Sequence, residues 1–351
     1  MTRTSQPLVS IVTPVYNGEE YFVECIESIL AQTYQNWDYT ILNNCSTDRS
    51  MEIARQYAAL DKRIRIVENE QFLPVIANHN AALRQISPDS KYCKMVFADD
   101  WIFPECIERM VAVAEENPSV GIVSAYVLQG PEVKCVGLPY QAKVFDGREI
   151  CRRHLLDHLY VFESANALLY RSDLVRSKAT FYNEKNIHAD TEACFALLRS
   201  ADFGFVHQLL TYTRIRPGSE RTTSSDLQTY LSGMLQVLQG YGSDYLSPEE
   251  LDRLLRAHIS DYYKFLGKCV LLGQKNVLNY HRAKLIDSGI GFQWSRVALG
   301  MMSTLLSLSS RPGFIAGRLM KSGNQATKFG PEQKEWDGAI AADTVGTRRA
   351  Q

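Results

Sequence analysis

No C-x-x-C pair occurs among the eight cysteines of this 351-residue sequence, which are spread evenly along it. Their spacing argues against a structural zinc site and a disulfide-dense secreted scaffold, and fits reduced thiols in a cytoplasmic protein. Charge of one sign is missing too: 38 Lys and Arg face 39 Asp and Glu, a net charge of -1, so no nucleic-acid partner is expected and only a local basic loop stays open. No uncharged apolar run reaches the roughly 18 residues of a membrane span. The polar opening MTRTSQPLVS passes directly into a strand pattern and reads as a chain without a signal peptide. Neither the glycine spacing of a dinucleotide fold nor G-x-x-x-x-G-K-[ST] follows any predicted strand, which removes those two nucleotide-binding readings. Internal repeats and low-complexity tracts are absent as well.

What remains is a globular composition, 45% apolar, in which β-like and helix-like segments alternate at short intervals. Strands are expected over Leu8–Thr13, Tyr39–Leu42, Ile64–Val67 and Cys93–Phe97, separated by helices over Glu20–Gln32, Ser50–Leu60 and Val75–Ile86. Three right-handed crossovers place these strands parallel in one α/β sheet. A helix opened by Pro104 and closed near Asn117 follows, then a strand over Val120–Leu128 with a hairpin or loop up to Leu138. A helix over Gly147–His158, a strand over Asn166–Tyr170, a helix over Thr191–Arg199 and a strand over Phe203–Thr213 complete an α/β domain of residues 1–223. Residues 224–321 read as a helical region, with Leu251, Leu254, Leu255, His258 and Ile259 on one stripe, and the polar tail 322–351 reads as disordered.

In an open parallel sheet, ligands bind beyond the carboxyl ends of the strands. Here those loops are Pro14-Val15-Tyr16-Asn17-Gly18, Asn43-Asn44-Cys45-Ser46-Thr47-Asp48 and Ala98-Asp99-Asp100-Trp101. Two adjacent carboxylates at the end of a buried strand need compensation. Mg²⁺ or Mn²⁺ supplies it, held by one or two carboxylates with water and phosphate completing the shell; the alternative is that the pair caps the next helix.

The segments Val9–Gly18, Ser28–Tyr34, Asn44–Asp48 and Ala98–Trp101, in this order and spacing, resemble the family 2 glycosyltransferases of the GT-A fold over roughly residues 7–220. The resemblance implies a Rossmann-like sandwich with a mostly parallel sheet and inverting sugar transfer from a nucleoside diphosphate sugar to a glycan or lipid-linked acceptor. Thr13, Pro14, Val15 and Tyr16 would line the nucleotide pocket. Asn43 and Asn44 stand where the family commonly has acids toward the nucleobase, and Cys45 stands where it commonly has glycine. In the family's D-x-D motif the first acid is replaced here by Phe97, while the last matches Asp99 as metal ligand beside Asp100. Asp190, in His188-Ala-Asp-Thr-Glu192, matches the general base that deprotonates the acceptor; Glu192 is the second choice, and helix capping the alternative role for Asp190. Arg214 and Arg216 would meet the donor diphosphate.

Two rivals remain beside this reading. One is a non-catalytic member that only binds a nucleotide sugar or a partner, suggested by Phe97 and Asn43; the other, a nucleotidyltransferase, would need a lysine that Pro14–Gly18 does not offer. His154 and His158 have the i, i+4 spacing of a zinc pair but no third ligand, and His207 reads as a satisfied core histidine. The uncharged stretch Val297–Ser310, flanked by Trp294, Arg296, Arg311, Arg318 and Lys321, reads either as a peripheral anchor on the cytoplasmic membrane face or as a helix packed on the catalytic domain or a homodimer partner.

Overall fold

The computed structural model describes residues 6–216 and 220–309; the tail expected at 322–351 lies outside the described residues. The chain begins with β1 (Val9–Val15), α1 (Phe22–Leu30), β2 (Trp37–Asn43), α2 (Ser50–Leu60), β3 (Ile64–Glu68), α3 (Val75–Leu83) and β4 (Tyr92–Met95). It continues through β5 (Trp101–Ile102), α4 (Cys106–Glu116), β6 (Val120–Gln129), β7 (Glu132–Lys134), β8 (Val144–Phe145) and α5 (Gly147–Leu156). Then come β9 (Leu169–Arg171), α6 (Ser172–Arg176), α7 (Ala189–Leu198) and β10 (Asp202–Thr213). Four long or medium helices and one short one close the described chain: α8 (Glu220–Leu227), α9 (Tyr230–Tyr245), α10 (Pro248–Leu271), α11 (Lys275–Asp287) and α12 (Trp294–Ser309).

The strands form one sheet in the order β3-β2-β1-β4-β9-β6-β10-β5, with β7 on β6 and β8 on β10. Its longest ladders, β1/β2, β2/β3, β1/β4 and β6/β10, are all parallel. Within the sheet β9 is reversed, antiparallel to both β4 and β6, and the short strands β5, β7 and β8 are antiparallel to their neighbours as well. The strand expected at Asn166–Tyr170 is thus shorter: residues Ala165–Ala167 make a single 3-10 turn, and pairing begins only at Leu169. The short strands β5 and β8 carry two residues each, too few for a periodicity to register.

Both faces of the sheet are covered, as buried strands with apolar residues on either side require. On one, Phe22 and Ile26 of α1, Met51 of α2, and Ile107 and Met110 of α4 pack on the strands. On the other lie Leu83 of α3, Cys151 of α5, Phe195 of α7 and Leu238 of α9. A separate core joins α9 to the last three helices through Leu235, Tyr262, Leu266, Leu285 and Val297. The stripe at Leu251–Ile259 is only half-buried; the fully buried positions of α10 come one turn later, at Tyr262, Tyr263, Leu266 and Cys269.

Candidate active site

The loops after β1 and β2 are fastened to each other by backbone donors and short side chains. Asn17 N–H donates to Ser46 Oγ (3.1 Å), Gly18 N–H to Ser50 Oγ (2.8 Å) and Glu19 N–H to Asp48 Oδ2 (2.9 Å). In return Thr47 N–H donates to Asn17 Oδ1 (2.8 Å) and Arg49 N–H to Glu19 Oε2 (2.9 Å). Asp48 therefore ties the start of α2 to the first loop. Partial burial raises its pKa, but the donors of Ser50 and Glu19 outweigh that and hold the carboxyl below its ordinary value. The turn demands left-handed backbone at Asn17 (φ 49°) and Cys45 (φ 61°). Asparagine tolerates that conformation, whereas cysteine is strained there, which accounts for the glycine common at this position of the family.

These fastenings separate the expected pocket residues. Pro14 and Val15 belong to β1 and are buried, so they lie in the sheet and not in a turn. Tyr16 is 50% exposed and meets Phe72, itself 56% exposed, edge to face at 4.9 Å. Asn44 is consumed internally: Oδ1 accepts from Leu73 N–H (2.9 Å) and Asn69 Nδ2 (3.0 Å), and Nδ2 donates to Leu73 O (2.9 Å). Its work is to hold the loop that carries Phe72, a residue the sequence reading missed. Asn43 ends β2 and accepts from Ser46 N–H at 2.9 Å, fixing the turn.

Past β4, Asp99 and Asp100 meet the end of β10. Arg216 Nε donates to Asp99 Oδ2 at 2.7 Å, Arg214 Nε to Asp99 O at 3.0 Å, and Arg214 N–H to Asp100 Oδ1 at 2.9 Å. Arg214 also pairs with Glu24 (2.7 Å) and lies 4.1 Å above the Tyr21 ring. The acidic pair and the basic pair, 114 or more residues apart in sequence, are thus one cluster. Asp100 is buried (3% exposed), whereas Asp99 is partly open. Among the described residues no group of three or more His, Cys, Asp or Glu is arranged around a cation. The hard-oxygen donors of Asp99 and Asp100 fit Mg²⁺ or Mn²⁺ only as an ion whose shell is completed by water and phosphate oxygens.

Phe97, in place of the motif's first acid, stacks on His79 of α3 at 5.0 Å, and His79 faces Tyr182 at 6.4 Å. Desolvation holds the His79 imidazole down to about 4, so it is neutral at pH 7. The Tyr182 phenol is pushed up by burial, with the Asp190 carboxylate adding to the shift. Phe97, His79 and Tyr182 thus form one aromatic cluster beside the Asp99 loop, and the Asp190 charge is felt at its Tyr182 end.

Helix α7 begins at Ala189, so Asp190 is inside its first turn and is not the N-cap expected as its alternative role. Oδ1 accepts the Thr191 N–H at 2.7 Å. Glu192 is a brace: Asn183 (3.1 Å), Asn186 (2.8 Å) and Tyr241 of α9 (3.3 Å) all donate to it. His188, two residues before Asp190, bonds Thr229 at 2.9 Å, and a Cβ on Gly233 would lie 2.5 Å from its ring. Helix α9 is thus packed directly against the loop that presents Asp190.

Lys94, the second residue missed, is fully buried on β4 with Nζ 2.6 Å from Asn166 O. Burial lowers its pKa. Asn166 Nδ2 in turn donates to Tyr212 O at 3.2 Å, two residues before Arg214. A lysine inside an apolar strand was the available signal. His154 is buried among Phe162, Phe195 and Tyr160, while His158 lies beyond the end of α5, so the two do not form a ligand pair. His207 is satisfied on both nitrogens, by Tyr126 (3.0 Å) and Ala142 O (2.8 Å).

The family model described as "Glycosyl transferase family 2" matches residues 10–202, more than half of the chain. The chain belongs to glycosyltransferase family 2. Among curated relatives, an uncharacterized glycosyltransferase of Haemophilus influenzae is 28% identical over 188 residues, covering 52% of this chain and 58% of its own length. TuaG of Bacillus subtilis, provisionally named a teichuronic acid biosynthesis glycosyltransferase, is 28% identical over 127 residues, 36% of this chain and 50% of that protein. The matched part of the chain thus spans between half and three fifths of the length of these two relatives. Staphylococcus aureus TarS, crystallised with UDP-GlcNAc, matches with a TM-score of 0.59 at 16% identity over 80% of this chain and 81% of that one. The mannosyltransferase PcManGT of Pyrobaculum calidifontis, in complex with GDP-Man and Mn²⁺, matches with a TM-score of 0.50 at 15% identity over 87% and 81%. The family's GT-A fold, a mostly parallel sheet with C-terminal helices added, is the fold of this chain.

Proposed function

We propose that this chain is an inverting glycosyltransferase that moves a sugar from a nucleoside diphosphate sugar onto an acceptor hydroxyl during polysaccharide or other glycan assembly. The observation that carries the reading is the single cluster of Asp99, Asp100, Arg214 and Arg216 at the carboxyl edge of the sheet. Guanidinium groups suit a departing diphosphate, and the Tyr16–Phe72 pair offers aromatic faces for a base. Asp99, with Asp100 behind it, would hold Mn²⁺ or Mg²⁺, which when bound offsets charge on the diphosphate. Asp190 takes the proton of the acceptor hydroxyl as its oxygen bonds the anomeric carbon and the diphosphate leaves from the opposite side. The binding of UDP-GlcNAc by TarS and of GDP-Man with Mn²⁺ by PcManGT, and the teichuronic acid name of TuaG, support the donor class, the cation and a polysaccharide product.

The non-catalytic reading draws on one observation, that Phe97 is packed on His79 where the family carries an acid. One experiment separates the two. UDP-, GDP- and dTDP-sugars are screened for thermal stabilisation with and without Mn²⁺, since a ligand of the native state raises its stability by RT ln(1 + [L]/Kd), and release of free nucleoside diphosphate is followed for any that bind. Stabilisation with turnover and an inverted anomeric product supports transfer. Stabilisation without turnover for every acceptor class favours the binding module, and no stabilisation by any nucleotide sugar removes both.

A further inference from the structure

Helix α12 breaks the usual pattern of a helix packed on a domain. Its inner positions are tightly seated: Val297 is 1% exposed, and a Cβ on Gly300 would stand 2.2 Å from Tyr263 O of α10. Gly267 of α10 answers it, since its Cβ would lie 2.3 Å from Met301 N. The two backbones touch, which fixes the rotation of α12 about its own axis. Its outer arc is apolar: Leu299 is 60% exposed and Met302 53%, with Trp294 at 58% where the helix begins. No charged residue occurs between Arg296 and Arg311. An outward helix face normally carries charge, and an uncharged apolar one marks a contact surface.

The charge of the helices that carry this face says what the contact is with. The described residues 262–309 hold six Lys and Arg and a single acidic residue, Asp287, although the whole chain carries a net charge of -1. A second copy docking face to face would set two strongly basic surfaces against each other. An anionic lipid surface offers the opposite charge together with an apolar boundary at the depth of the acyl chains. We infer that α12 docks this protein on an anionic membrane surface, lying in the interface with Trp294, Leu299 and Met302 among the headgroups. The inference goes beyond sugar transfer and does not depend on it. No helix of the described residues is long and apolar enough to cross the bilayer. A surface-bound enzyme of this kind meets acceptors carried in the same plane.

The test is flotation of the full chain with phosphatidylcholine vesicles, with and without phosphatidylglycerol, beside the variant Leu299→Glu with Met302→Glu. Wild type is expected to float with the anionic vesicles alone and to be released by added salt. The variant should bind about tenfold more weakly or less, while its thermal midpoint and donor-induced stabilisation stay unchanged. Should that variant fail to fold, brominated anionic lipid must quench Trp294 fluorescence in wild type, with Trp294→Phe as control. Absence of flotation, equal flotation of the variant, or no quenching overturns the inference. So does a concentration-dependent dimer in light scattering that the variant disperses, which would assign the face to a second copy.

Discussion

The two acidic poles of the site are held in opposite ways. Asp99 and Asp100 follow a central strand and are met by arginines just past the end of β10, so the segments leaving the sheet supply the partners seen at 2.7–3.0 Å. Asp190 stands on the first turn of α7, and that turn is anchored by the preceding loop, with Asn183 and Asn186 on Glu192, and by α9 and its start, with Tyr241 on Glu192 and Thr229 and Gly233 on His188. Charge neutralisation is thus built into the sheet edge, whereas the position of the proposed base depends in part on a helix added after it. Donor binding and proton abstraction should therefore respond separately to mutation.

The sharpest break is Asp190→Asn. On the proposed mechanism it removes the proton acceptor of the transition state and leaves the sheet edge intact, so kcat should fall by about 10²–10⁴ with donor affinity nearly constant. Single-turnover transfer beside calorimetric donor binding checks it; near-normal transfer would remove Asp190 from the mechanism, and Glu192, already bonded by three residues, would not inherit the role. Asp99→Asn attacks the other pole. Its expected loss is about 10² in kcat/KM, together with the Mn²⁺ response of both activity and thermal midpoint, while Asp100→Asn should cost less. Unchanged Mn²⁺ dependence in Asp99→Asn would contradict the assignment.

Gly233→Ala tests whether α9 positions the base. A methyl there displaces His188, and a shift of the Asp190 turn by a fraction of an ångström should lower kcat about tenfold without changing donor affinity; if donor affinity falls instead, the two poles are not independent. His154→Phe addresses the fold alone. Burial holds the His154 pKa down to about 4 against an ordinary 6.5. Between those values the unfolded chain binds more protons than the folded one, so stability falls as pH drops from 6.5 toward 4. The phenylalanine variant should be the more acid-resistant by on the order of 1–3 kcal/mol at pH 4, read from urea melts across that range. The smallest effect is expected for Cys45→Gly, which relieves left-handed backbone at φ 61° and should raise stability by up to about 1 kcal/mol with unchanged turnover. A decrease would mean that the Cys45 Sγ contact to Asn69 O outweighs the strain.

The parallel order of the first four strands was readable because each βαβ unit repeats a local pattern: a strand with apolar residues on both faces, a turn, and a helix with one apolar stripe. The boundaries of α2 matched to the residue, since Asp48 and Ser50 give its start a local hydrogen-bond logic. The family motifs pointed to Asp99 and Asp190 for the same reason, each standing in a short string of neighbours. Phe72 and Lys94 carried no such string. Phe72 gains its place only because Asn44 holds its loop, and Lys94 its meaning only because Asn166 arrives 72 residues later.

What the sequence by itself determined is therefore the class of the fold and the chemical types at the strand ends, because periodicity and turn chemistry act over a few residues. Tertiary structure alone decided which of those residues still have a free face. It buried Val15 in the sheet, spent Asn44 on a loop and Glu192 on a brace, and set Asp99 opposite Arg216. The reason is physical: a buried polar group must find its partner among whatever the fold brings near it, and for Asn44, Glu192 and Asp99 those partners lie between 6 and 117 residues away.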